Sequence, residues 1–96
     1  MTSKQRAYLR KEANSLQPVY HIGKGGLEDA LVRGVGEALK ARELIKISVQ
    51  ESSELPVRDI VSILAKKLKA EPVQVIGRRF VLYKRNAQLD RYGAGK

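Results

Sequence analysis

Cysteine and tryptophan are absent from the 96 residues, and histidine, phenylalanine and methionine occur once each. Without cysteine there is no disulfide framework, no thiolate zinc site and no thiol nucleophile. His21 alone supplies neither a His-rich metal site nor a catalytic pair with cysteine. One Phe and four Tyr are too few for recognition resting mainly on aromatic stacking. No apolar run approaches the ~20 residues needed to cross a bilayer, and the N-terminus carries no signal-type hydrophobic stretch. The expectation is a small soluble domain in the cytoplasm. Acid is scarce too: 19 Lys and Arg stand against 10 Asp and Glu, a formal charge of +9. A charge of that sign attracts polyanions, and the usual partners are nucleic acid or an anionic membrane surface. The length suits one domain, and a chain this short buries only roughly 60–65% of its unfolded surface. A deep internal pocket is therefore not expected.

The patterning gives seven elements. A first helix is predicted over residues 3–16, where Thr2 and Gln5 have the spacing of a capping box and Leu9, Ala13 and Leu16 share one stripe. Pro18 ends it. Residues 19–22 form a short β-rich run that stops at Gly23-Lys24-Gly25-Gly26. A second helix carries Leu27, Ala30, Leu31, Gly34, Val35 and Ala38 on one face, with close packing against a strand as one reason for its glycines. Residues 44–49 alternate, with Ile45, Ile47 and Val49 on one side and Leu44, Lys46 and Ser48 on the other, the pattern of a strand with one face in a core and the other at least partly wet. Pro56 suits the first position of a third helix bearing Val57, Ile60, Val61, Leu64, Ala65 and Leu68. Two β-rich runs, 73–76 and 80–84, are joined by Gly77-Arg78-Arg79 as a hairpin. The order α-β-α-β-α-β-β implies a single α/β (α+β) domain with one mixed four-stranded sheet. Its strand order stays open. Residues 1–85 form the domain, and residues 86–96 read as a flexible basic tail.

Candidate binding residues cluster at the glycine loop. Gly23, Lys24, Gly25 and Gly26 lie where a strand hands over to a helix, so exposed N–H groups, a helix N-terminus and one lysine offer a phosphate cradle. The competing explanation is a tight turn that needs positive φ. A Walker A loop and a dinucleotide fingerprint both fail here, the second because Glu28 stands where Gly is required. The short G-x-x-G clamp of KH modules fits. Arg78 and Arg79 read as a guanidinium pair for phosphate or base, against the ordinary explanation of charge on an exposed turn. Lys4, Arg6, Arg10 and Lys11 make the first helix basic with only Glu12 in opposition. Tyr8, Tyr20 and His21 are candidates for stacking, although a satisfied strand histidine is the commoner case, and Tyr83 is expected to cover the sheet. No serine has a nucleophile context and no carboxylates have metal-ligand spacing, so the chain reads as a binder with no catalytic residues, no metal and no cofactor. Its helices also lack the bulky apolar face of a membrane-surface helix.

The segments Ala13-Asn14-Ser15-Leu16-Gln17-Pro18-Val19, Ile22-Gly23-Lys24-Gly25-Gly26-Leu27, Glu43-Leu44-Ile45-Lys46-Ile47, Val73-Gln74-Val75-Ile76-Gly77-Arg78 and Val81-Leu82-Tyr83 occur in this order. Together they resemble the CRM domain, the chloroplast RNA splicing and ribosome maturation family, in its stand-alone YhbY-like form. The resemblance spans about residues 2–85. It implies a fold similar to the C-terminal domain of translation initiation factor three, and RNA binding through the loop at Gly23, Lys24, Gly25 and Gly26. It also implies association with precursors of the large ribosomal subunit. Members often carry histidine where this chain has Asn14, so no imidazole role carries over to that position. Gly25 is a second departure and adds freedom to the loop.

The expected function is a ribosome-assembly or RNA-folding factor whose partner is RNA, with no membrane and no small-molecule substrate. An Alba-type architectural chromatin protein is the alternative, against which the helix before Pro18 counts; a protein-docking adaptor is a third. Charge distribution sharpens the expectation. Residues 1–24 hold five basic and one acidic residue, residues 25–70 hold eight and seven, and residues 71–96 hold six and two. A single binding surface requires the two basic ends to meet on one side of the domain.

Overall fold

A computed structural model of the chain describes residues 1–93. Its elements are α1 (Ser3–Ala13), β1 (Pro18–Ile22), α2 (Asp29–Arg42), β2 (Leu44–Val49), α3 (Val57–Leu68), β3 (Glu71–Ile76) and β4 (Arg79–Tyr83). The predicted succession holds, with local differences. The capping box forms: the Gln5 N–H donates to Thr2 Oγ1 at 3.1 Å and the Thr2 N–H to Gln5 Oε1 at 2.8 Å. α1 nevertheless stops at Ala13 rather than Leu16. The Asn14 N–H still donates to the Lys11 carbonyl, after which Leu16 folds back beneath the helix toward Leu9 and Leu44. Pro56 is the cap of α3 rather than its first residue, and its carbonyl accepts from Asp59 and Ile60.

The strand order is β1-β2-β4-β3, with β1 parallel to β2 and β4 antiparallel to both neighbours. Each helical crossover returns the chain in the same direction, and β4 then turns back into the slot between β2 and β3. Alternation decides the two faces. Ile45, Ile47 and Val49 join Ile22, Phe80 and Leu82 under α2 and α3, where Val35, Leu39, Ile60 and Leu64 complete the main core. Leu44, Val73 and Val81 point the other way and receive Leu9 and Ala13 of α1. α1 therefore covers part of the second face and makes a three-layer domain. Arg6 fastens it, its guanidinium donating to the carbonyls of Pro72 and Val73 at a register shift in β3.

The flexible tail expected over residues 86–96 falls partly on described residues. Residues 86–93 are tied to the domain; residues 94–96 lie outside the described residues. The Lys84 N–H donates to the Glu43 carbonyl, and the buried Glu43 carboxylate accepts from the N–H groups of Asn86 at 3.0 Å and Arg91 at 2.8 Å. The Asn86 side-chain amide donates to the Lys40 carbonyl at 2.8 Å. Tyr92 meets Tyr83 edge to face with ring centroids 6.2 Å apart. Among the described residues no buried side-chain nitrogen or oxygen lacks a partner, and no helix is long and apolar enough to cross a membrane.

Candidate nucleic-acid interface

Three loops meet at one end of the sheet because β1 and β2 run the same way and the β3–β4 hairpin points with them. The Gln50 N–H donates to the Ile22 carbonyl at 2.8 Å, and the Val49 N–H to the Arg78 carbonyl at 2.7 Å. These two bonds place the glycine loop beside the 50–56 loop, and that loop beside the hairpin.

Gly23 to Gly26 form a closed turn, the Gly26 N–H donating to the Gly23 carbonyl at 3.0 Å, with Lys24 and Gly25 at its tip. Each glycine has its own reason. A Cβ on Gly23 would stand 2.6 Å from Gln50 Oε1, so Gly23 lets β1 lie against the next loop. Gly26 has φ +65°. Gly25 makes room for the Glu28 carboxylate, whose Oε1 would be 2.6 Å from a Cβ there. Glu28 is the N-cap of α2 without a side-chain capping bond, and Asp29 follows in the first turn. The helix terminus thus faces its own carboxylates. The α2 dipole is offset by these carboxylates, and Lys24 is the cation at the tip of the turn.

Arg78 and Arg79 separate. Arg78 lines a groove with Glu51 and Glu54 on the 50–56 loop, whereas Arg79 lines one on the α1 side of the sheet with Lys46, Gln74, Ile76 and Asn14. Alternation explains the split, since neighbours entering a strand point to opposite faces. Lys46, which sequence reasoning placed on a wet face but did not select, belongs beside Arg79. The signal was present in the β2 alternation.

The cations of α1 also divide. Arg6, Arg10 and Asn14 lie four residues apart on one ridge; Arg6 is bound to β3, Asn14 overlooks the Lys46–Arg79 groove, and exposed Arg10 stands between them. Lys4 and Lys11 project from the side roughly opposite Leu9 and Ala13. The structure therefore brings together Lys24, Arg79, Lys46 and Arg10 around one half of the molecule and leaves Lys4 and Lys11 facing outward.

The aromatic candidates sort by burial. Tyr20 packs into the main core with its hydroxyl over Gly34, and Tyr8 packs beside the second cluster with Tyr83 and Tyr92. His21 is exposed on the α1 face. Burial raises the Tyr83 phenol above its ordinary range, helped by Glu43 and Asp90 and opposed by Arg85. It does the same for Tyr92, helped by Glu12 and Glu43. Both phenols sit at the opposite end from the glycine loop. Among the described residues no group of three His, Cys, Asp or Glu could hold a metal ion.

Residues 1–84 match the family model of the CRS1 / YhbY (CRM) domain. The probable RNA-binding protein YqeI of Bacillus subtilis is 41% identical over 88 residues, 92% of each chain. An RNA-binding protein of Haemophilus influenzae is 32% identical over 84 residues, covering 88% of this chain and 85% of that one. The solution structure of the hypothetical protein SAV1595 from Staphylococcus aureus superposes with a TM-score of 0.75 at 34% identity, over 90% of both chains. A match along nearly the whole length, in sequence and in fold, places this chain in the CRS1 / YhbY (CRM) domain family.

Proposed function

We propose that this chain is an RNA-binding protein that acts by holding RNA rather than by catalysis. RNA backbone is held at Gly23, Lys24, Gly25 and Gly26, with Arg79, Lys46, Arg10 and Arg78 contributing flanking phosphate contacts. The carrying observation is the convergence of loops: two backbone bonds, Gln50 to Ile22 and Val49 to Arg78, set the glycine turn and the arginine hairpin at one end of the sheet. The names of its relatives, RNA-binding proteins among bacteria and an archaeon, support RNA as the partner class. Backbone contacts position an RNA without reading its sequence, so the natural target is one chosen by shape. The resemblance to stand-alone members makes a precursor of the large ribosomal subunit the leading target in the cytoplasm.

The decisive variant combines Lys24→Glu with Gly25→Asp. The pair reverses the charge of the turn, and Gly25→Asp sets a side chain against Glu28. Affinity for a hairpin RNA with single-stranded flanks should fall at least about tenfold, with an unchanged circular-dichroism spectrum. Undiminished RNA binding would refute the clamp. Equal or tighter binding to duplex DNA of the same length would instead favour the Alba-type reading. Crosslinking in cells, followed by sequencing of the bound fragments, tests the ribosomal target.

A further inference from the structure

The register of the sheet aligns four residues in one row across the face that α1 only partly covers. His21 is opposite Ser48, Ser48 opposite Arg79, and Arg79 opposite Ile76. The row lies at the loop end of the sheet: His21 and Ser48 are one position inside their strands, and Ile76 and Arg79 are the strand residues that flank the hairpin turn. α1 ends at Ala13 before reaching it, and Asn14 borders it from the helix side. His21 and Arg79 are exposed, and Ile76 is 63% exposed, the most open large aliphatic side chain among the described residues.

The chemistry of this strip exceeds what phosphate needs. Phosphate oxygens only accept hydrogen bonds, and Lys and Arg donors satisfy them. Ser48, Asn14 and Gln74 both donate and accept, while Ile76 and His21 offer an apolar contact and a flat ring. Mixed donors and acceptors beside an apolar surface suit the edge and face of an unpaired nucleobase. Asn14, Lys46, Gln74, Ile76 and Arg79 line a groove of about 180 Å³. That is below the ~300–1,000 Å³ of a drug-sized ligand site, so it fits a single base better than a larger ligand. No carboxylate lies in the row or in the neighbouring row of Lys46, Val81 and Gln74, so an RNA strand meets no like charge there.

We infer that this strip is a base-reading subsite, which takes one or two unpaired nucleotides next to the phosphates held at the glycine turn. The inference rests on the RNA-binding reading, and it adds sequence discrimination to a contact that otherwise supplies none.

The test uses eight-nucleotide strands of adenylate, cytidylate and uridylate, and an abasic ribose-phosphate strand of the same length. The wild-type protein should bind at least one base-bearing strand about tenfold more tightly than the abasic strand and should rank the three bases. Asn14→Ala combined with Ile76→Ser should remove that preference while leaving the salt dependence unchanged. Both side chains are exposed, so the melting temperature serves as the folding control. Lys24→Glu should do the reverse, weakening all four strands together and flattening the salt dependence. Equal wild-type affinity for the abasic strand overturns the subsite and leaves the clamp standing. Retention of the full base preference in the double variant does the same. If Lys24→Glu changes nothing while the double variant loses its preference, the clamp falls and the subsite stands. If none of the four strands binds while the hairpin RNA does, the subsite falls and the clamp stands.

Discussion

A glycine in mid-helix costs about 1 kcal/mol relative to alanine, and α2 carries one at position 34 where the Tyr20 hydroxyl rests directly over the backbone. A Cβ at Gly34 would collide with that hydroxyl and stand 3.0 Å from the ring carbon bearing it. Gly36 plays a milder part: a Cβ there would stand 3.3 Å from a Leu68 methyl of α3. Gly34→Ala should therefore lower stability by about 1 kcal/mol in the wild-type protein, because displacing a packed tyrosine outweighs the gain in helix propensity. In a Tyr20→Ala background the same change should become stabilising by about 0.5–1 kcal/mol. Denaturant melts of the four proteins in this cycle give the coupling directly. A Gly34→Ala effect of the same sign and size in both backgrounds would show that Tyr20 is not the reason for the glycine.

Among the described residues, 84–93 hold no helix or strand, yet one buried carboxylate makes them part of the fold. Glu43 has φ +65° at the end of α2, and this turns its side chain under the segment to accept from the Asn86 and Arg91 N–H groups. Glu43→Ala strands two N–H groups and should cost about 3 kcal/mol; Glu43→Gln keeps one acceptor and should cost about half that. Tyr83 and Tyr92 report on the same junction. Their phenols are raised first by burial and then by neighbouring carboxylates, so the folded state holds these protons to higher pH than the unfolded chain. Their contribution is complete below the ordinary phenol value of about 10 and is lost as pH rises through the folded values. Absorbance at the phenolate band should show two tyrosines titrating late, and Glu43→Gln should bring Tyr83 back toward the ordinary range. Two tyrosines that titrate normally in the wild type would deny the packed junction. This junction was not legible in the sequence. Glu43 sits between Arg42 and Leu44 like any surface acid, and its burial is created by residues 43 and 48 positions further along. Local periodicity, by contrast, sufficed to locate every helix and strand but not every boundary: α1 ends three residues early, β3 begins two residues sooner, and β4 is buried on both faces. The strand order also lay beyond it, since pairing β4 between β2 and β3 is a contact between distant segments. The glycine turn was legible as a motif. The separation of Arg78 from Arg79 needed the hairpin register.

Across the whole molecule, the +9 charge is an arrangement rather than a total. The basic chain ends do not simply fuse into one patch. From the first segment, Lys24 and Arg10 reach the loop end and the open sheet face, while Lys4 and Lys11 look away from both. From the last segment, Arg78 and Arg79 join the loop end, while Lys84, Arg85 and Arg91 sit at the opposite end with Glu43. Lys46, from the nearly neutral middle, adds to the first group. Five cations, Arg10, Lys24, Lys46, Arg78 and Arg79, therefore surround the proposed RNA path. Each neutralised phosphate contributes about −0.7 to −0.9 to the slope of log K against log salt, which gives roughly −3.5 to −4.5 for five. Replacing Lys46 and Arg79 with Gln should make the slope shallower by about 1.4 to 1.8 units. Replacing Lys4 and Lys11 with Gln changes the net charge equally and should leave the slope nearly as it was. The two double variants carry the same total charge, so any difference between them reports position alone. If the Lys4 and Lys11 pair flattens the slope as much, the RNA lies across the outer side of α1, and the sheet face is not its path.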